Sequence, residues 1–389
     1  MKFDFKPLEK EAMTSVERNM AILDLKEPDR VGIWPLIDFM PAEYLDNVSI
    51  GDMMYAPEKA QWAYEWLYHK LGGYDIGMAG GAMYMPYFDP FPGMFSGYYL
   101  DWKLPGRSIP MSVGPQLNEA ALNDPFLKAE DYDRILKEGF FWLANFNNDA
   151  TMKDMQNNAK IAPQVAKYSE KWWVELETPT FNDGAAGTVF DTLSTFRGST
   201  NFMKDTYRHA DKIKAICDKY TPDFIKMGEY GASQSGGKTL LVGSVRASAD
   251  FCNLKMFEEL FWPYYKATVT DYVNRGYIVQ MHLDTCWTDR LHYLLELPKG
   301  KLYMHMDERT DIIKAKEILG DHCAIQGNIK PSLFVTGSPR HIEEETKRII
   351  DGCKEGGGLF VGSEIPDNAK LENLKAMIDT CKTYGVYRK

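Results

Sequence analysis

Tyr277-Ile-Val-Gln-Met-His-Leu-Asp-Thr-Cys286 is the stretch that decides the fold. It follows Asn274-Arg275-Gly276, a helix-stop signal, and opens on five residues without a charge. A run this short and β-prone reads as a strand buried on both faces, the habit of parallel sheets. Its polar residues gather at its far end, as His282, Asp284 and Cys286.

Working outward, the same kind of run recurs at Val31–Pro35, Leu240–Ser244, Leu302–His305, Cys323–Gln326 and Leu359–Gly362. Between the later runs lie amphipathic stretches, Asn253 to Arg275, Trp287 to Leu297, Asp311 to Leu319 and Pro339 to Glu355, which the 3.6-residue period predicts to be helices. Ser338 is placed to cap a helix that has Pro339 at its first position, and Gly320 to close the helix ending at Leu319. Strand alternating with helix four times in succession means βαβ units, and the alternation fits an α/β fold of the (β/α)8 TIM-barrel type. We expect one domain over residues 1–389, with residues 1–30 as an N-terminal extension. The Pro- and Gly-rich stretches Gly80 to Gly106 and Pro179 to Gly187 are expected to be long loops over the C-terminal face.

Composition narrows the function. Of 389 residues 44% are hydrophobic and 26% charged, a globular balance, and the formal net charge of -10 disfavours a nucleic-acid partner. No stretch of about 18 uncharged apolar residues occurs, and Met1 to Arg18 carries Asp4, Glu9, Glu11 and Glu17 where an export signal would be basic, then apolar. A cytoplasmic protein outside the membrane is expected. The six cysteines, Cys217, Cys252, Cys286, Cys323, Cys353 and Cys381, form no C-x-x-C pair and read as reduced, mostly buried residues. Ala232-Ser-Gln-Ser-Gly-Gly-Lys-Thr239 resembles a phosphate loop, but it leads into a strand and not into a helix N-terminus, so it reads as a turn.

A barrel carries its chemistry at the C-terminal ends of its strands. The polar residues there are Asp38, Arg246, Asp250, His282, Asp284, Cys286, His305, Asp307, Gln326, Asn328, Ser363 and Glu364. Along an extended segment residues i, i+2 and i+4 share a face, so His282, Asp284 and Cys286 would present imidazole, carboxylate and thiol together, most of a zinc site. A strand-capping histidine beside a buried cysteine explains the same pattern. His305-Met-Asp307 repeats the arrangement and reads equally as a salt-bridged pair. The aromatics Tyr84, Tyr87, Phe88, Phe91 and Phe95 near Gly80-Gly81 read as lid packing or as the lining of an apolar pocket.

Asp191-Thr-Leu-Ser-Thr-Phe-Arg-Gly198, Met203-Lys-Asp-Thr-Tyr-Arg-His209, Met256-Phe-Glu-Glu-Leu-Phe-Trp-Pro263, His282-Leu-Asp284 with Trp287, Lys314 to Gly320, Gln326-Gly-Asn328, and Gly356 to Pro366 with Leu371 to Lys375 carry a family likeness. In consistent order, over roughly residues 20 to 385, they resemble the uroporphyrinogen-decarboxylase superfamily. Several blocks resemble in particular its corrinoid-dependent methyltransferases, of the coenzyme M and aryl-ether O-demethylase branch. The resemblance implies a (β/α)8 barrel that moves a methyl group between a small methylated substrate, such as a methoxylated aromatic, and the cobalt of cobalamin held by a partner corrinoid protein. It further implies zinc, held by a histidine matching His282 and a cysteine matching Ser363.

Two departures qualify that expectation. Trp34-Pro-Leu-Ile-Asp-Phe-Met-Pro41 lacks the arginines with which the decarboxylases bind their acidic porphyrinogen. Ser363 replaces the family thiolate, so Asp284, Cys286 or Glu364 would have to complete a zinc site with His282. The expected roles are therefore His282, Asp284 and Cys286 as metal ligands, Asp307 and Glu364 as acids, and Asp38, Arg246, His305, Gln326 and Asn328 as substrate contacts. A homodimer is left open. The rival readings are a decarboxylase of a smaller substrate, using a strand-end Asp with Arg246, and a non-catalytic barrel that has lost its metal.

Overall fold

Every apolar run singled out above is a strand in the computed structural model, which describes residues 8–80, 102–106, 108–117, 125–140, 142, 149–180, 184–235 and 237–387. The strands are β1 (Gly32–Ile37), β2 (Trp102–Lys103), β3 (Gln116–Leu117), β4 (Gly184–Ala186), β5 (Thr239–Ser244), β6 (Ile278–Leu283), β7 (Leu302–Met306), β8 (Ala324–Asn328) and β9 (Leu359–Ile365). β2 and β3 form a separate antiparallel ribbon. The others make one sheet in the order β1-β9-β8-β7-β6-β5-β4.

That order identifies the architecture. From β4 to β9 each strand neighbours the next in the chain, and the first strand lies beside the last, paired in parallel from Gly32 opposite Phe360 to Ile37 opposite Ile365. An open doubly wound sheet reverses its order at a switch point, whereas a TIM-type barrel wall runs on until it meets its first strand. The fold is therefore α/β of the TIM-barrel type. The seam needs Gly362, which lies opposite Trp34, because a Cβ there would run into the Trp34 carbonyl oxygen.

Packing divides the chain into two compact units. The first, Met1–Met83 with Gln164–Asn182 and Thr285–Lys389, holds β1, β7, β8 and β9. Trp34, Tyr303 and Phe360 meet edge to face at its centre, with centroids 5.2 to 5.6 Å apart. At the N-terminal end of β1, fully buried Asp75 accepts hydrogen bonds from Arg18 Nη1 at 2.6 Å, Arg30 Nη1 at 2.7 Å and the Ile33 amide at 2.7 Å. The second unit, Tyr84–Pro163 with Asp183–Asp284, holds β4, β5 and β6. Its core includes Phe190 against Phe202 at 4.8 Å and against Phe261 at 5.7 Å.

Helix expectations hold where caps are present. Ser338 caps Pro339–Cys353, and Asp311 caps Ile312–Leu319 through the amides of Ile313 and Lys314. The stretch expected to be one helix from Asn253 to Arg275 is instead Leu254–Met256, a π-turn Phe257–Phe261 and Trp262–Asn274. Pro263 explains the break, since it has no N–H for the turn before it. Gly320 closes its helix with φ at -57°, so its left-handed freedom goes unused.

The expected loop Pro179 to Gly187 contains β4, a strand of Gly and Ala that carries no β-branched signal. Small residues are required there, since a Cβ on Gly184 would lie 2.8 Å from the backbone nitrogen of Ala232. Residues 81–101, with the five aromatics of the lid reading, lie outside the described residues. The phosphate-loop look-alike joins the end of the helix Ala210–Ser235 to β5, the wrong polarity for a phosphate site. Among the described residues no helix is long and apolar enough to cross a membrane.

Candidate active site

In the first unit the sheet register aligns the strand-end residues. His305, the fourth residue of β7, pairs with Gln326 of β8, and Asn328 with Gly362 of β9. His305 is buried and Glu364 exposed, yet their ligand atoms lie within 4.8 Å of one another. A nitrogen and an oxygen donor thus converge at the C-terminal end of this part of the sheet.

Several neighbours do structural work. Gln326 donates from Nε2 to the Trp34 carbonyl at 3.2 Å, across the β1–β9 seam. Asn328 donates from Nδ2 to the carbonyls of Asp307 at 3.1 Å and Thr310 at 2.7 Å, fastening the turn after β7. Asp307 accepts from the amides of Thr285 at 3.1 Å and Arg309 at 2.9 Å. Ser363, where the resemblance implies a thiolate in the relatives, donates to the Ile329 carbonyl at 2.6 Å. Asp38, just past β1, receives the Tyr64 hydroxyl on its own carbonyl at 3.0 Å.

The extended geometry that would place Cys286 on the face of His282 ends at Leu283. Thr285 adopts φ of 64°, a left-handed turn, and Cys286 Sγ donates to Thr288 Oγ1 at 3.7 Å.

In the second unit His282 is the fifth residue of six-residue β6, opposite Gly243 of β5. Its Nε2 lies 3.0 Å from Asp284 Oδ1. The amide of Asp284 closes the β5–β6 ladder by donating to the Ser244 carbonyl at 3.2 Å. Arg246 follows β5 and stacks its guanidinium 4.9 Å from the Phe251 ring centre, while Asp250 is exposed.

The residue that strand-end reasoning missed is Asp191, which is 1% exposed. Its Oδ1 accepts from the amides of Val245 at 3.1 Å and Arg246 at 3.0 Å, and its Oδ2 accepts from the Thr188 hydroxyl at 2.8 Å. Burial pushes its carboxyl up to about 6 and the charge of Asp284 adds to this, against the opposing pull of those hydrogen bonds. Thr188-Val-Phe-Asp191 reads in sequence as an ordinary helix cap, which hides the carboxylate's second attachment to the β5 turn.

The donor types present fit a catalytic zinc. Imidazoles and a carboxylate are common in such sites, which take three protein ligands and leave one position open, and no thiolate is required. Asp284, bonded to the imidazole of His282, stands where a carboxylate orients a metal-binding histidine.

Comparison with known proteins supplies the kinship. Residues 152–384 match the family model described as uroporphyrinogen decarboxylase (URO-D). The uroporphyrinogen decarboxylase of Pseudoalteromonas atlantica is 36% identical over 82 residues, 21% of this chain and 23% of that protein. That of Colwellia psychrerythraea is 44% identical over 52 residues, 13% of this chain and 14% of that protein. The chain thus aligns with less than a quarter of these relatives' length. Among solved structures, a methyltransferase from Methanosarcina mazei superposes with a TM-score of 0.62 at 15% identity, covering 96% of this chain and 99% of that one. At that identity the likeness speaks for the fold alone. The family match spans more than half of the chain, which belongs to the uroporphyrinogen decarboxylase (URO-D) family.

Proposed function

We propose that this chain is a corrinoid-dependent methyltransferase, moving a methyl group between a small methylated substrate and the cobalt of a partner corrinoid protein, with a zinc ion bound at His282. The observation that carries the reading is the His282 imidazole at the exit of β6, its Nε2 3.0 Å from the Asp284 carboxylate, as a metal-binding histidine is held by its orienting group. Support also comes from the fold shared with a methyltransferase and from the arginine-free stretch Trp34 to Pro41, which is unsuited to a porphyrinogen bearing many carboxylates.

When bound, zinc supplies Lewis acidity at the heteroatom that carries the methyl group. His305, buried, holds its imidazole in a fixed place, and exposed Glu364 is reachable by substrate. Asp284 orients the His282 ring through Nε2, which makes Nδ1 the atom that would face the metal. Asp307 and Asn328 shape the turn after β7, while Arg246 and Asp38 stand at strand ends where substrate contacts are expected.

The test is metal content followed by methyl transfer. Protein purified without chelators should hold about one zinc per chain, and His282→Ala should lose it with the fold intact. Loss of methyl from substrate should require a reduced corrinoid protein or free cob(I)alamin. Steady turnover without either would replace this reading with a decarboxylase of a small acid, decarboxylation being the chemistry in the name of the curated relatives.

A further inference from the structure

We propose that Asp191 is the positioning residue for His282: it fixes the two residues just past β5, the last residue of β5 holds the amide of Asp284, and Asp284 fixes the imidazole. The inference rests on the reading of His282 as a metal ligand, and it deepens that reading by naming what holds the ligand in place.

The chain of contacts is continuous within the second unit. Asp191 Oδ1 takes the amides of Val245 and Arg246, the first two residues past β5. The residue before them, Ser244, gives its carbonyl to the amide of Asp284, the first residue past β6. The Asp284 carboxylate then meets His282 Nε2 at 3.0 Å. Strand pairing sets the backbone of His282 opposite Gly243, and the bond from the Asp284 amide to Ser244 closes the ladder. Asp191 holds the two residues that follow directly, so it fixes where β5 ends and Asp284 attaches.

Asp191 suits this task in a way a simple cap does not. One oxygen takes the two amides just past β5, while the other takes the hydroxyl of Thr188, the N-cap of the helix Val189–Arg197 in whose first turn Asp191 sits, so one side chain ties helix to strand end. The groups that lower its pKa most are a hydroxyl and two backbone amides, a costly set with which to hold a buried charge. Helix capping alone would be served by a neutral side chain.

The experiment uses the full chain with zinc as the probe. Zinc affinity is measured by competition against a chromogenic chelator, beside the melting temperature of the zinc-free protein, for wild type, Asp191→Ala, Asp191→Ser, Asp191→Asn and Thr188→Val. Asp191→Ala should weaken zinc binding about 10- to 100-fold, the usual effect of removing a group that orients a metal ligand. Asp191→Ser, kept as the milder variant should Asp191→Ala not fold, should lose part of that affinity, because a hydroxyl cannot take both amides. Asp191→Asn should recover affinity to within a few-fold, since an amide oxygen can accept the same two bonds. Thr188→Val should lower the melting temperature and leave affinity unchanged.

Wild-type affinity in folded Asp191→Ala or Asp191→Ser overturns the proposal, and so does an equal loss in Thr188→Val. A separate readout needs no metal: the tautomer of His282, read by nitrogen-15 NMR of the zinc-free protein, should hold its proton on Nε2 in wild type and become mixed in Asp191→Ala. If wild type takes up no zinc, the ligand reading fails, while an unchanged tautomer in Asp191→Ala sinks the positioning role on its own.

Discussion

Asp75 and Asp191 are both buried carboxylates, at 0% and 1% exposure, yet the protein treats them in opposite ways. Asp75 sits at the entry to β1 between the guanidinium groups of Arg18 and Arg30, themselves 0% and 3% exposed. Burial alone would raise its pKa, but the two cations hold it well below the usual carboxylate range. Asp191, at the exit of β5, has amides and a hydroxyl and is pushed up to about 6. The difference follows the division of labour in this fold, where strand entries serve stability and strand exits carry chemistry. A carboxylate that only has to hold the chain together is given cations. One that stands beside a site, near the charge of Asp284, is left partly uncompensated.

The most severe way to break the comparison is at Asp75. Asp75→Ala would leave two buried guanidinium groups facing each other, and removing one member of a buried ionic network costs about 3 to 5 kcal/mol. Urea unfolding at neutral pH should show that loss, and a change below about 1 kcal/mol would mean that the network is not what holds the β1 entry. Lowering the pH should erode the same contribution. Because the pKa of Asp75 is depressed in the folded state, its stabilisation is present above the ordinary carboxylate range and fades as pH falls through its depressed value.

Asp191 should show the reverse sign. Its folded pKa of about 6 lies above the ordinary 3.8, so between these values the folded protein keeps a proton that the unfolded chain has given up. Stability should therefore fall as pH rises from about 4 to above 6, by at most roughly 3 kcal/mol for a shift of about two pH units. Asp191→Asn cannot titrate, so its stability relative to wild type should climb over that window. Parallel pH profiles of the two proteins in urea unfolding would show that the carboxylate is not strained by burial.

The same contrast explains what could be read in advance. The parallel strands were legible because they are largely buried on both faces, leaving short uncharged, mostly apolar runs such as Leu359-Phe-Val and Ile278-Val-Gln-Met. β4 was not, because Gly184 is chosen for its lack of a side chain against Ala232. In the site, the rule of strand exits singles out His282, His305 and Glu364 one by one, but which donors converge depends on contacts between residues 59 positions apart, as for His305 and Glu364. Simple alternation extended the face of His282 to Cys286, and the left-handed turn at Thr285 is where such alternation stops. Asp191 was hidden because its role comes from the amides of Val245 and Arg246, and backbone donors leave no trace in side-chain patterns.

Ser363 sharpens the comparison at its mild end, as a buried polar group with no charge at all. It is 3% exposed and spends its hydroxyl on the Ile329 carbonyl at 2.6 Å, bridging β9 to the residue just past β8. A neutral hydrogen bond of this kind contributes about 1 kcal/mol, because folding exchanges it for bonds to water and does not create it anew. Ser363→Ala should therefore lower stability by about that amount, with no dependence on pH between 4 and 8, since neither partner titrates. Zinc affinity should be unchanged, as the hydroxyl is committed to a backbone carbonyl. A zinc affinity reduced tenfold or more in a protein that melts like wild type would make Ser363 part of the metal site after all, and the position of the family thiolate would have kept its role with a different atom.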